Sequence, residues 1–203
     1  MRDYEIKIKK RVIYIALLVV ILIGLIIFSY SKSSINITNQ GADTKELEAR
    51  FVFLSNAGTN ACGGGKDYIN RLSVDGTRIQ GSCCSAMDFH RYIEQIEGLK
   101  KYSENELIPK DPYNVSSEWA EKMVSYTENV FLTDKQQKIY DGAVKLSHEG
   151  GPCCCKCWHW YAYEGLAKKL IVDENFSSEE IAEVWDISDA CGGSGHIEGV
   201  HGH

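Results

Sequence analysis

The sequence lacks several motifs that would assign a common chemistry. The glycine-rich stretch before Lys66 has neither the spacing of a phosphate-binding loop nor its following serine or threonine. Covalent haem attachment is disfavoured because Trp158 separates Cys157 from His159, so that no Cys-x-x-Cys-His segment is present. No long internal repeat is evident. What the chain has in abundance is cysteine.

Basic residues are concentrated at the N-terminus, and one long apolar run follows them. Five Lys or Arg residues fall within residues 1–11, and residues 12–28 are uncharged and largely apolar. This length suits a membrane span, roughly 17–25 residues, better than the apolar core of a cleaved signal peptide, about 7–15 residues. No cysteine follows the run directly, which disfavours a lipoprotein anchor. We therefore predict a cytoplasmic segment at 1–11, an uncleaved single-pass signal anchor at 12–30 and an extracytoplasmic remainder.

The remainder of the chain is acidic and has the size of one domain. Without residues 1–11 it contains 17 basic and 26 acidic residues, a net charge of −9. This balance disfavours nucleic acid and anionic lipid surfaces as partners of the domain, and no protein partner is indicated. Residues 31–42 are polar and are predicted to form a linker. We expect one cysteine-rich domain over 43–196 and a flexible, His-containing tail over 197–203.

Helix-capping signals predict an all-α or nearly all-α domain, a compact bundle of five or six helices with Cys/Gly-rich loops. Phe131 is expected in its core, and a turn at 74–77 is consistent with a short hairpin. The predicted helix starts lie near Asp43, Ser85, Ser116, Thr133, Pro152 and Ser177. The helix from Pro152 would carry the densest group of cysteines.

The eight cysteines are bunched in four places. Soft thiolates select Cu(I), Zn(II) or iron–sulfur clusters. Bunching argues against disulfides as the whole explanation, because adjacent cysteines rarely have the geometry to bond to each other. We therefore predict a metal site, with Cu(I) or Zn(II) foremost and an iron–sulfur cluster next. Its candidate ligands are Cys62, Cys83, Cys84, Cys153, Cys154, Cys155, Cys157, Cys191 and His159.

A helix over the densest cysteines would pair Cys153 with Cys157, and Cys155 with His159, at i,i+4. Ligands on one helix approach an ion from one side only and cannot enclose a tetrahedral ion. The loops that carry the remaining cysteines must then converge on this helix. We expect their sulfurs within about 7 Å of its own, a distance that one ion or a small cluster can bridge.

Two other functions remain open. Outside the cytoplasm, an even number of cysteines also predicts a structural or interaction domain held by up to four disulfides. A thiol-based redox protein or a cysteine-dependent enzyme is the third alternative, with Cys155 and His159 as a candidate nucleophile and base. A dyad leaves the other clustered cysteines unexplained, so that binding is favoured over catalysis. His90 is predicted to be an ordinary surface residue.

The segment Pro152-Cys153-Cys154-Cys155-Lys156-Cys157 resembles the Pro-Cys-x-Cys-x-Cys spacing of the PCYCGC-motif proteins. These are small, membrane-attached, extracytoplasmic bacterial proteins of unassigned function. The later Ser178-x-Glu180-Ile181 is similar to a helix near the end of that family. Here Cys154 replaces the aromatic residue and Lys156 replaces the glycine. The resemblance implies a cysteine-rich envelope module and supplies no activity.

Overall fold

The computed structural model describes residues 43–57, 65, 67–72 and 76–193. The chain divides into one unit over 1–48, of which 43–48 are described and helical, and a second unit over 49–203. Among the described residues, no helix combines the length and apolar character needed to cross a bilayer. The predicted anchor at 12–30, the linker at 31–42, the tail at 197–203 and Cys62 all lie outside the described residues.

The described part of the chain is mostly helical, which confirms the predicted fold class at that level. It contains helix α1 over residues 43–55 and a short helix α2, Asp67–Leu72, that the sequence did not predict. The remaining elements are β1 (Arg78–Gln80), α3 (Phe89–Leu99) with a 3-10 turn (Lys100–Tyr102), β2 (Asn114–Ser116), α4 (Ser117–Asn129), α5 (Asp134–Leu146), α6 (Trp158–Asp173) and α7 (Ser178–Ile187).

Side-chain caps explain where most of these helices begin. Thr133 and Ser177 each form the predicted reciprocal capping box at the start of α5 and α7, and Ser116 accepts the amide of Trp119 to cap α4. The prediction for α3 is wrong by several residues. Asp88 caps that helix by accepting the Arg91 amide, so the residues from Ser85 onward remain in the preceding loop.

The two strands pair with each other across a long stretch of sequence. They are antiparallel, with Ile79 opposite Val115, and both of these side chains are buried. The local hairpin expected around the turn at 74–77 is therefore wrong, because β1 finds its partner only after α3 and the connector that follows it. The pairing continues into the residue after β1, where the Gly81 amide donates to the Tyr113 carbonyl oxygen at 2.9 Å.

Helix α6 is the central element of the second unit. Nine of its 16 residues are buried, so it is covered on nearly all sides rather than along one stripe. A Cβ atom on Gly165 would lie 1.9 Å from the Met123 carbonyl oxygen, which shows how closely α4 approaches. Helix α7 packs against α5 and α3. Phe131, predicted to be buried, is 85% exposed because it follows the end of α4 in the link to α5.

Candidate metal centre

The densest cysteines lie in a loop before α6, which corrects the predicted helix start. The helix begins at Trp158 with Cys157 as its N-cap, and Cys153 to Cys155 have no helical conformation. The expected i,i+4 pairs on one helix are therefore wrong. A bend at Gly151 sets the loop: its φ is +154°, and a Cβ atom there would lie 2.6 Å from the Trp160 ring. Its amide donates to Ser147 Oγ at 2.8 Å.

Two distant loops are joined by main-chain hydrogen bonds beside these cysteines. One loop, 83–87, precedes α3, and the other, 189–193, follows α7. Met87 and Gly193 also form a parallel bridge. The amide-to-carbonyl bonds are Cys83 to Ala190 (2.8 Å), Cys84 to Cys191 (3.2 Å), Ser85 to Cys191 (2.9 Å) and Gly193 to Ala86 (2.7 Å). We call residues 83–87 and 189–193 the paired loops.

Gly192 is required for this pairing. Its φ of +81° lies in the left-handed region that glycine adopts without penalty. A Cβ atom at this position would lie 2.2 Å from the Ser85 carbonyl oxygen, a distance at which the main chain itself must move. The glycine therefore allows both the turn and the close approach of the two loops.

A buried polar network fixes the beginning of the second loop. Gln95 is fully buried on α3 and donates through Nε2 to the Asp189 carbonyl oxygen at 2.6 Å. Tyr113 donates its hydroxyl to Gln95 Oε1 at 3.0 Å and also lies 3.3 Å from the Asp189 carbonyl oxygen. These bonds tie the loop that carries Cys191 to the core, since leaving such groups unpaired in the interior is costly.

The paired loops and the loop before α6 bring seven cysteines into one continuous group, the thiol cluster. Its members are Cys83, Cys84, Cys153, Cys154, Cys155, Cys157 and Cys191. The Sγ–Sγ distances are 2.9 Å for Cys153–Cys191, 3.3 Å for Cys154–Cys191, and 3.9 Å for both Cys153–Cys157 and Cys84–Cys155. The loops converge as predicted. Of the eight cysteines, only Cys62 lies outside the described residues.

The two longer spacings are suited to a shared ion. With Zn–S bonds near 2.3 Å, the edge of a tetrahedral site is roughly 3.8 Å, close to the two longer spacings. The structure forms no disulfide among the seven cysteines that it describes. The cluster therefore has the donor atoms and spacing to hold a soft metal ion.

Three overlapping sets of ligand atoms lie within 4.8 Å of one another: Cys84, Cys154 and Cys191; Cys153, Cys154 and Cys155; and Cys153, Asp189 and Cys191. We call these the outer, loop and inner sets. Asp189 was not predicted. A carboxylate two residues before a cysteine was the available signal, but acidic residues are too common to mark a ligand on their own. The Oδ1 atom of Asp189 also accepts the Cys191 amide at 3.0 Å, which orients the side chain.

The thiol cluster has a buried side and an exposed side. Cys83, Cys153, Cys157 and Cys191 are buried, whereas Cys84 and Cys154 are exposed. Hydrogen bonds donated by Cys153 and Cys83 hold the pKa of the Cys157 thiol well below its ordinary range, and the same bonds raise the pKa of both donors. Burial, followed by the hydrogen bond with Cys191, raises the pKa of Cys154 to about 11.

His159 is placed differently from the cysteines. It is fully buried, and its Nε2–H donates to the Ser188 carbonyl oxygen at 3.0 Å, while its ring stacks on Tyr163 with centroids 4.1 Å apart. Burial lowers the pKa of the imidazole, so the ring is neutral. Its Nδ1 has no hydrogen-bond partner within the described residues. His159 belongs to none of the three ligand sets found there. His90 is 83% exposed, as predicted.

The structure thus defines a mostly helical domain whose loops assemble a cluster of thiols. Comparison with models of known families, with curated proteins and with solved structures finds no match to the chain.

Proposed function

We propose that this protein binds soft metal ions, Zn(II) or Cu(I) foremost, through the thiol cluster. The observation that carries the proposal is the convergence of seven cysteines from three separate loops, six of which have a neighbouring sulfur at 2.9–3.9 Å. Soft thiolates prefer these metals, and the carboxylate of Asp189 within the inner set favours zinc. An iron–sulfur cluster is the remaining metal alternative, since thiolates also hold iron.

The scaffold supports binding rather than structural stapling. Main-chain bonds already hold the paired loops together, so the domain does not need cross-links to bring these segments into contact. The neutral, buried His159 is bonded to a main-chain carbonyl, which gives little support to the alternative of a cysteine nucleophile with a histidine base. We therefore favour a binding role over a disulfide-held interaction domain and over an enzyme.

Elemental analysis of the full chain, purified anaerobically in detergent and reduced, tests the proposal. The wild type should retain at least about one equivalent of zinc or copper after dialysis, and the Cys191→Ala variant should retain much less. Ser188→Ala is the matched control, because it removes a buried side-chain hydroxyl near the site and leaves every cysteine in place. Metal content below about half an equivalent in the wild type, with no uptake on titration, would contradict metal binding.

We also propose that the domain is anchored to a membrane by residues 12–30 and faces the extracytoplasmic side. The charge difference across the apolar run and the resemblance to the PCYCGC-motif proteins support this placement. A membrane-impermeant thiol reagent applied to intact cells is the test. Cys84 and Cys154 are exposed and should be labelled in intact, metal-depleted cells. Labelling only after lysis would contradict this orientation.

A further inference from the structure

Each pair of the three ligand sets has one cysteine in common. The outer and loop sets share Cys154, the outer and inner sets share Cys191, and the loop and inner sets share Cys153. Each set also has one member of its own: Cys84, Cys155 and Asp189 respectively. A thiolate sulfur has lone pairs for two ions, so a shared cysteine can bridge two neighbouring sets.

We propose that the thiol cluster holds a trinuclear ring of divalent ions, with one ion in each ligand set and Cys153, Cys154 and Cys191 as bridging thiolates. The inference rests on the proposed metal binding and specifies how the ions are arranged. In this ring, ions alternate with bridging sulfurs. Cys84, Cys155 and Asp189 act as terminal ligands.

The three proposed bridging residues are neighbours in the thiol cluster. Cys191 Sγ lies 2.9 Å from Cys153 Sγ and 3.3 Å from Cys154 Sγ, the two shortest sulfur spacings in the thiol cluster. Both spacings are shorter than the roughly 3.8 Å edge of a tetrahedral zinc site, so these sulfurs must move apart when ions bind between them. Cys157 Sγ, 3.9 Å from Cys153 Sγ, is placed to supply a further donor on the buried side.

Charge also supports three divalent ions. The three sets together contain five cysteines and one aspartate, which as thiolates and carboxylate supply six negative charges. Three divalent ions neutralise that charge. With fewer ions, the uncoordinated cysteines would keep their protons, because an uncompensated thiolate beside a low-dielectric core is unfavourable.

Cadmium-113 NMR of the full chain, reduced and loaded with Cd(II) in detergent, tests the ring directly. Scalar coupling between cadmium ions passes through a shared sulfur, so the wild type should show three coupled resonances, one for each ligand set. Two variants provide a matched pair. Cys154→Ala removes a bridge and Cys84→Ala removes a terminal ligand, and both side chains are exposed, so neither change opens a cavity in the core.

The two variants should differ in metal content. Cys84→Ala should lose at most one equivalent of Cd(II) and keep the coupling between the other two ions. Cys154→Ala removes a ligand from two sets and leaves only the inner set complete, so it should fall to one uncoupled ion. A single uncoupled ion in the wild type, or equal losses in both variants, would overturn the ring while leaving metal binding intact. No Cd(II) uptake at all would overturn both proposals.

Discussion

Replacing Gly192 with alanine tests whether the paired loops pre-form the site. Gly192 and Gly76 have the same φ of +81° but different surroundings. A Cβ atom on Gly192 would lie 2.2 Å from the Ser85 carbonyl oxygen, whereas nothing lies within 4 Å of one on Gly76. Gly76→Ala is therefore a control that reproduces the backbone strain without the collision.

The expected magnitudes follow from this contrast. The left-handed conformation costs an alanine about 1–2 kcal/mol, and both variants bear this cost. In Gly192→Ala the loops must also separate, which weakens the bonds that Cys84 and Ser85 donate to Cys191 and the bond from Gly193 to Ala86. At about 1 kcal/mol for each of these three hydrogen bonds, the free energy of unfolding should fall by about 4–5 kcal/mol in all.

Urea denaturation of the reduced, metal-free full chain measures the free energy of unfolding, and competition with a zinc chelator measures the zinc affinity. Gly192→Ala should lose both stability and zinc affinity. Gly76→Ala should lose only the smaller amount of stability and bind zinc as the wild type does. Equal losses of stability in the two variants, or unchanged zinc affinity in Gly192→Ala, would refute the role given to the paired loops.

Two further predictions concern the core. Tyr113→Phe removes the hydroxyl that reaches Gln95 and the Asp189 carbonyl oxygen, so it should cost about 1–3 kcal/mol by urea denaturation and weaken zinc binding in the competition assay. Stability unchanged to within about 0.5 kcal/mol would show that the buried network does not hold the second loop. Leu166→Ala, at a fully buried position of α6, should cost about 2–5 kcal/mol, whereas Phe131→Ala should change stability by less than about 0.5 kcal/mol. Similar losses in these two variants would contradict the placement of the core around α6.

Local signals in the sequence predicted local structure well. The capping boxes at Thr133 and Ser177 are confirmed because each is made by residues three apart, whatever surrounds them. The same reasoning failed at Ser85. The side chain of Ser85 donates a hydrogen bond to the Cys191 carbonyl oxygen in the paired loops, and Asp88 caps α3 instead. Long-range contacts between the paired loops therefore determine where α3 begins.

The sequence indicated which cysteines form the site, but it did not indicate the conformation of the loop that carries most of them. Bunched cysteines indicated the ligands, but the helix expected from Pro152 begins only at Trp158. Gly151, set against the Trp160 ring, bends the chain in a way that no local pattern predicts. Asp189 was missed because its proximity to Cys153 arises only from the fold.

The separation of the paired loops along the chain has a consequence for how the protein is made. Cys84 and Cys191 are joined by a main-chain bond, yet 107 residues of sequence separate them. At about 5–20 residues per second, a ribosome needs roughly 5–20 s to travel from one codon to the other. During this interval the earlier thiols have been synthesised but their partners have not. The last loop to be synthesised completes the centre, so the full set of ligands exists only once Cys191 has been made.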